Sequence, residues 1–83
     1  MVEENLTFYY DQKRHLVCIP YSVENLHRMA AMLNIPSHWF HKGIKGRSHY
    51  DIPIRRRYEI CQRCVEISDH DIIKIIRGKY VRS

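Results

Sequence analysis

The sequence contains little glycine, proline or cysteine, with three of each among 83 residues. Because 45% of the residues are hydrophobic, this composition argues against a disordered or low-complexity chain. Three cysteines are an odd number, which does not suit a disulfide framework and indicates a reducing compartment, so we expect the cytoplasm. The chain starts with acidic residues, so we expect no secretion signal. It has no apolar run near the roughly 18 residues that a membrane span needs, so we expect no membrane partner.

Several recognisable chemical motifs are also missing. The chain has no Gly-x-x-x-x-Gly-Lys-Ser/Thr loop, no Gly-x-Gly-x-x-Gly segment and no serine in a nucleophile elbow. Cys61 and Cys64 have the spacing of half a zinc site, but no second pair follows them. We therefore expect free buried thiols, no metal and no other cofactor, with zinc at this pair as the alternative.

Positive charge is concentrated in the middle of the chain. The whole chain has a net charge of +5, and residues 42–63 alone, with seven Lys or Arg and two Asp or Glu, also sum to +5. Such a field attracts phosphate-bearing partners and speeds their encounter. On charge alone, a solvated basic surface without a partner explains the pattern slightly better.

The hydrophobic and turn patterns predict a single domain, residues 1–83, of the α/β (α+β) class. The predicted strands are 6–10, 15–19, 48–52 and 65–67. The predicted helices are 23–33, 54–63 and 72–77, with a further helical turn at 37–41 and a loop at 42–47. Ser22 and Ser68 are expected to cap the helices that follow them.

This order, β-β-α-β-α-β-α, describes a small mixed sheet of about four strands with three helices. The predicted strand 6–10 would suit an exposed sheet edge, through which a homodimer is possible.

Ser48-His-Tyr-Asp51 is the densest group of chemically active side chains. On a strand, His49 and Asp51 project from one face and Tyr50 from the other, so the carboxylate can orient the imidazole. Arginines 55–57 open the next predicted helix, where guanidinium and free backbone N–H groups bind a phosphate. From the spacing alone, caps and solvated surface explain these residues somewhat better than a site does.

Five segments together resemble one known family: Asn25–Ile35, His38–Lys42, Ser48–Ile52, Arg55–Arg57 and Val65–Ser68. It is the domain-of-unknown-function family numbered 4031, made of small proteins from bacteria and their phages, and the resemblance covers roughly residues 8–77. The resemblance implies the fold and a shared polar set, which favours a site at His49 and Asp51. That set is His27, Trp39, His49, Tyr50, Asp51 and one arginine of 55–57.

Three functional hypotheses follow. The first is binding of a nucleotide or nucleic acid. Its anion pocket is His49, Asp51 and Arg56, its other ligand-binding residues are His27, Trp39, Tyr50 and Arg55, and its closing loop carries Lys42, Lys45 and Arg47. For Trp39, packing in the core is the alternative to stacking on a base.

The second hypothesis is a hydrolase or phosphotransferase, in which His49, held by Asp51, is the general acid or base. The third is a phage accessory protein that docks on a host protein, in which case it works in the host cytoplasm and has no small-molecule site.

Overall fold

The computed structural model describes residues 5–81 as a mixed five-stranded sheet with three α-helices, which confirms the predicted fold class. The strands are β1 (Thr7–Tyr10), β2 (His15–Ile19), β3 (Phe40–His41), β4 (His49–Asp51) and β5 (Val65–Glu66). The helices are α1 (Val23–Met32), α2 (Arg57–Cys61) and α3 (Asp69–Ile76). Short 3₁₀ turns lie at Ser37–Trp39, Ile44–Gly46 and Ile54–Arg56. Within residues 5–81, no helix has the length and apolar character needed to cross a membrane.

The strands lie in the order β3-β4-β2-β1-β5. The pairs β1–β2, β2–β4 and β3–β4 are antiparallel, and β5 runs parallel to β1. Asp11 closes the turn between β1 and β2, because its carboxylate accepts the backbone N–H groups of Lys13 (3.0 Å) and His15 (2.9 Å). The polar segment 11–14 is therefore a turn.

Helices cover both faces of this sheet. The register puts Leu16 opposite Tyr50 on one face, where α1 lies, since His27 of α1 hydrogen-bonds Tyr50. The other face is covered by α3 and the segment after it, where the Tyr80 ring packs edge-on against Tyr9 at 5.6 Å. We call these two surfaces the α1 face and the α3 face. Apolar side chains of both layers form one buried cluster around the sheet.

Both predicted helix caps are confirmed. The Ser22 hydroxyl accepts the backbone N–H of Asn25, and the Ser68 hydroxyl accepts that of Asp71. Because Ser68 caps it directly, α3 begins at Asp69 rather than at residue 72. The predicted helix 54–63 consists instead of a 3₁₀ turn followed by the short helix α2.

Two predictions about the sheet are wrong. Only Ser37–Trp39 is helical in the segment 37–41, because Phe40 and His41 pair with β4 and add a fifth strand. The segment 6–10 is not a free edge either, since β1 is hydrogen-bonded to β2 on one side and to β5 on the other. In the described chain the sheet edges are β3 and β5.

Candidate functional site

Three histidines and one aspartate meet on the α3 face, where β2, β4 and β3 lie side by side. In the strand register His15 stands opposite Asp51, and His41 stands opposite His49. Cross-strand partners share a face, so all four side chains emerge on the same side of the sheet. We call His15, His41, His49 and Asp51 the histidine cluster.

His15 is held by a buried carboxylate. Its Nδ1 lies 2.8 Å from Oδ2 of Asp11, whose side chain is only 1% exposed. The other Asp11 oxygen accepts the backbone N–H groups of Lys13 and His15, so both carboxylate oxygens have hydrogen-bond partners. A carboxylate only accepts, so Nδ1 of His15 carries a proton, and in the neutral imidazole Nε2 is the unprotonated nitrogen.

His49 is oriented by a carbonyl rather than by Asp51, which is a departure from the sequence prediction. Its Nδ1 lies 2.9 Å from the Arg47 carbonyl oxygen, and a carbonyl can only accept, so Nδ1 is the protonated nitrogen. Its Nε2 lies 3.5 Å from Oδ1 of Asp51, too far for a good hydrogen bond. The His15 and His49 rings meet edge-on, with centroids 5.0 Å apart. The predicted placement of His49 and Asp51 on one face is confirmed.

His41 completes the cluster from the edge strand. Its Nε2 lies 2.9 Å from Oδ2 of Asp51, and its ring stacks on that of His49 with centroids 5.4 Å apart. Sequence reasoning missed His15 and His41, and it gave Asp11 no role in a site. The spacing Asp11-x-x-x-His15 across a tight turn is the signal that points to the first pair, whereas His41 joins only through the unpredicted strand β3.

The loop 42–47 stands beside the cluster and is tightly closed. The Ser48 hydroxyl donates to the Lys42 carbonyl at 3.0 Å, and Gly43 has a positive φ of 71°. A Cβ atom at position 43 would overlap the Arg47 carbonyl, so the loop requires glycine there. This closure holds the Arg47 carbonyl in the position where it receives the Nδ1–H of His49.

An open depression of about 460 Å³ separates this loop from α3. His15 and His49 line one part of it, Arg47 lines its rim, and isoleucines of α3 line the opposite wall. Within residues 5–81, the Arg47 guanidinium makes no hydrogen bond or ion pair. Lys13, at one end, pairs with Asp69 at 3.1 Å and lowers the pKa of that carboxyl.

The family model described as "Protein of unknown function (DUF4031)" matches residues 9–79. The chain belongs to this family. The family resemblance drawn from the sequence is thereby confirmed. Comparison with the curated proteins and with the solved structures found no match. The matched segment includes Asp11 and every residue of the histidine cluster, so this cluster is part of the DUF4031 domain rather than of its flanks.

Several predicted site residues lie elsewhere in this DUF4031 domain. Tyr50 projects from the α1 face, where a 2.7 Å hydrogen bond joins its hydroxyl to Nδ1 of His27, and burial raises its pKa. The His27 ring also packs on Phe40, with centroids 4.7 Å apart. The pair His27–Tyr50 is thus separated by the sheet from His49 and Asp51.

Arg56 is also not part of the site around His49. Its guanidinium donates to the carbonyls of Leu33 and Asn34, at 2.6 Å for Leu33, and pairs with Glu59 at 3.1 Å. These carbonyls end α1, so Arg56 caps that helix. The expected grouping of His49, Asp51 and Arg56 in one anion pocket is not formed.

The remaining predicted residues are exposed outside the depression. Arg55 borders a separate groove with Arg57 and Tyr58. Trp39 is 38% exposed on the 3₁₀ turn and lies edge-on to His38, so it is not a core residue. Lys42 and Lys45 are exposed on the loop that borders the depression.

Cys61 and Cys64 are free thiols on the α2 side of the molecule. Burial raises the pKa of Cys64 to about 12, which keeps this thiol protonated.

Proposed function

We propose that this DUF4031 domain binds a phosphate-bearing ligand, either a nucleotide or a nucleic acid, in the depression beside the histidine cluster. The observation that supports it is the Arg47 guanidinium at the rim, which has no partner within residues 5–81. Guanidinium groups bind phosphate oxygens through paired hydrogen bonds. Lys42 and Lys45 add two cations on the same loop, which contains no acidic residue. We propose the cytoplasm as the site of action, the host cytoplasm for a phage-encoded chain.

The walls of the depression suit the rest of such a ligand. Ile44 on the loop is 79% exposed, and Ile73 and Ile76 of α3 line the opposite side of the depression. Apolar side chains of this kind can contact the face of a base or a sugar. The proposal keeps the phosphate ligand expected from the sequence but moves its site from Arg56 to Arg47 and His15.

Fluorescence anisotropy with labelled nucleotides and short single-stranded DNA and RNA tests this proposal across a series of salt concentrations. We expect the affinity to fall as salt rises, because phosphate binding releases counterions. We expect Arg47→Ala with Lys42→Ala to weaken binding and to make the salt slope shallower by about one for each phosphate contact removed. Comparing mononucleotides with oligonucleotides distinguishes the two sources of phosphate.

The matched control is the double variant Arg55→Ala with Arg57→Ala, which removes the same charge from the separate groove. Binding that this control abolishes would assign the ligand to the α2 surface and contradict the proposal. Binding that ignores salt would exclude an electrostatic mechanism. No binding of any nucleotide or oligonucleotide would favour docking on a host protein instead.

A second candidate is hydrolysis or phosphoryl transfer of that ligand. The observation that favours it is His15, whose Nδ1–H is held by the buried Asp11 carboxylate while its Nε2 remains available as a general base. His49 then acts as the second imidazole, in place of a His49–Asp51 pair alone. Product formation that His15→Gln abolishes supports this candidate, and ligand that is bound but never consumed refutes it.

A further inference from the structure

We infer that the histidine cluster binds a divalent transition-metal ion, with Nε2 of His15, Nε2 of His49 and a carboxylate oxygen of Asp51 as its ligands. Each of the three residues offers a ligand atom within 4.8 Å of the other two. Two imidazoles and one carboxylate on a single face form a common donor set for zinc and non-haem iron. The inference does not depend on the proposed phosphate ligand.

The outer hydrogen bonds of both imidazoles are the kind that metal-binding histidines make. A histidine that binds a metal through one nitrogen almost always donates its other N–H to a carboxylate or a backbone carbonyl. His15 donates Nδ1–H to the buried Asp11 carboxylate, and His49 donates Nδ1–H to the Arg47 carbonyl. In their neutral forms both rings are therefore held in the tautomer that leaves Nε2 unprotonated, and Nε2 of His49 faces Asp51.

The position of Asp51 fits the same role. Its Oδ1 lies 3.5 Å from Nε2 of His49. Two ligands of a tetrahedral ion with bonds near 2.1 Å are about 3.4 Å apart, so this separation matches two ligands of one ion better than it matches a hydrogen bond. The second oxygen, Oδ2, lies 2.9 Å from Nε2 of His41, which supplies the outer partner of the carboxylate. Each of the three proposed ligands thus has a supporting group.

The site is open on one side. His15 and His49 line the depression between the loop and α3, so further coordination positions of a bound ion face that space. Sites with three protein ligands and an open position are typical of metals that bind substrate or activate water. Nε2 of His15 cannot bind a metal and act as a general base at the same time. The inference also departs from the sequence expectation of no metal, and it uses none of the residues of the Cys61/Cys64 alternative.

Cobalt(II) and zinc(II) binding to the untagged, chelator-treated protein tests this inference, in buffer without phosphate ligands. We expect one ion per chain by calorimetry, and cobalt d–d absorption without the charge-transfer band that thiolates produce. His15→Gln, His49→Gln and Asp51→Asn should each weaken binding by about 100-fold or more. Asp11→Asn and His41→Gln, which remove outer partners, should weaken it by about 10–100-fold.

His38→Gln and His70→Gln are the matched controls, because both remove an exposed imidazole outside the cluster. A thiolate charge-transfer band, or binding lost in Cys61→Ser with Cys64→Ser, would overturn the inference in favour of the cysteines. Absence of stoichiometric binding, or affinity unchanged in the three ligand variants, would overturn it outright. Circular dichroism of each metal-free variant verifies folding, and Asp51→Asn, which preserves side-chain shape, decides the result where a histidine variant does not fold.

Discussion

Both faces of the sheet contribute buried residues to the core, but where β2 pairs with β4 the two faces differ. On the α1 face, Leu16 and Tyr50 are fully buried, and Tyr50 hydrogen-bonds His27 of α1. On the α3 face, their immediate neighbours His15 and His49 are only partly buried and form hydrogen bonds and ring contacts. Alternation along a strand therefore places stabilising and chemically active side chains next to each other in sequence and on opposite sides in space. We therefore expect substitutions at Leu16 and at His15 to change stability by different amounts.

The largest effect is expected from Leu16→Ala. Removing a fully buried leucine side chain costs about 2–5 kcal/mol, and a domain of this size is stable by only roughly 4–12 kcal/mol. His15→Gln, one residue away on the other face, should cost less, about 1–2 kcal/mol, because the His15 side chain is 37% exposed and the main loss is the ring hydrogen bond to the buried Asp11 carboxylate. Urea denaturation of both variants measures the contrast, and equal losses would show that the His15 side chain is as important to folding as the Leu16 side chain.

Asp11→Ala is expected to destabilise the protein by about 1–3 kcal/mol. The change leaves the His15 ring and the backbone N–H groups of Lys13 and His15 without their acceptor. Urea denaturation gives the loss of stability. Amide hydrogen exchange should be faster than in the wild-type protein, and the increase should be larger at residues 13 and 15 than at the centre of β2. Protection unchanged at these two amides would contradict the assigned role of the carboxylate.

The sequence predicts the strands and helices more completely than it predicts the site. The pattern gives β2 at its observed limits and both serine caps, because these depend on neighbouring residues. Strand β3 is not predicted from the sequence, because Phe40 and His41 form a strand only through their pairing with β4. The site depends on register: His49 and Asp51 share a face by alternation alone, whereas His15 and His41 join them only across strands.

For Arg56, the sequence predicts a place in the anion pocket that the structure does not show. Its position beside other arginines at a predicted helix start suggests anion binding, but the carbonyls that end α1 take its hydrogen bonds. The residues around Arg56 in the sequence do not reveal that the end of α1 lies beside it, because this contact is formed only in the folded chain.

Tyr50→Phe should cost about 0.5–1.5 kcal/mol. It removes the hydroxyl that hydrogen-bonds His27 and leaves the ring in place on the α1 face. Metal and ligand binding at the histidine cluster should be unchanged, since the sheet separates the two sites. A double-mutant cycle with His27→Ala, read by urea denaturation, gives the coupling between them. Loss of binding in Tyr50→Phe would show that the two faces are not independent.

The smallest effect is expected from the ion pair of Arg56 with the exposed Glu59 carboxylate, taken apart from the hydrogen bonds of Arg56 to the end of α1. The Arg56 guanidinium lowers the pKa of the Glu59 carboxyl below its ordinary value of 4.5. Folding therefore favours the ionised form, so this contribution to stability is present above about pH 4.5 and is lost as the pH falls through the lowered pKa. In Arg56→Gln, NMR titration should show the Glu59 pKa returning upward. An unchanged value would exclude the guanidinium as its cause.

Gly43 has a consequence that reaches beyond the loop it closes. The Arg47 carbonyl occupies the space that a Cβ atom at position 43 would need, and the same oxygen receives the proton of His49 Nδ1. Any other residue at position 43 must displace that oxygen, which releases the ring to rotate or to exchange its tautomer. The hydrogen bond that orients the His49 imidazole thus depends on the absence of a Cβ atom six residues earlier in the chain.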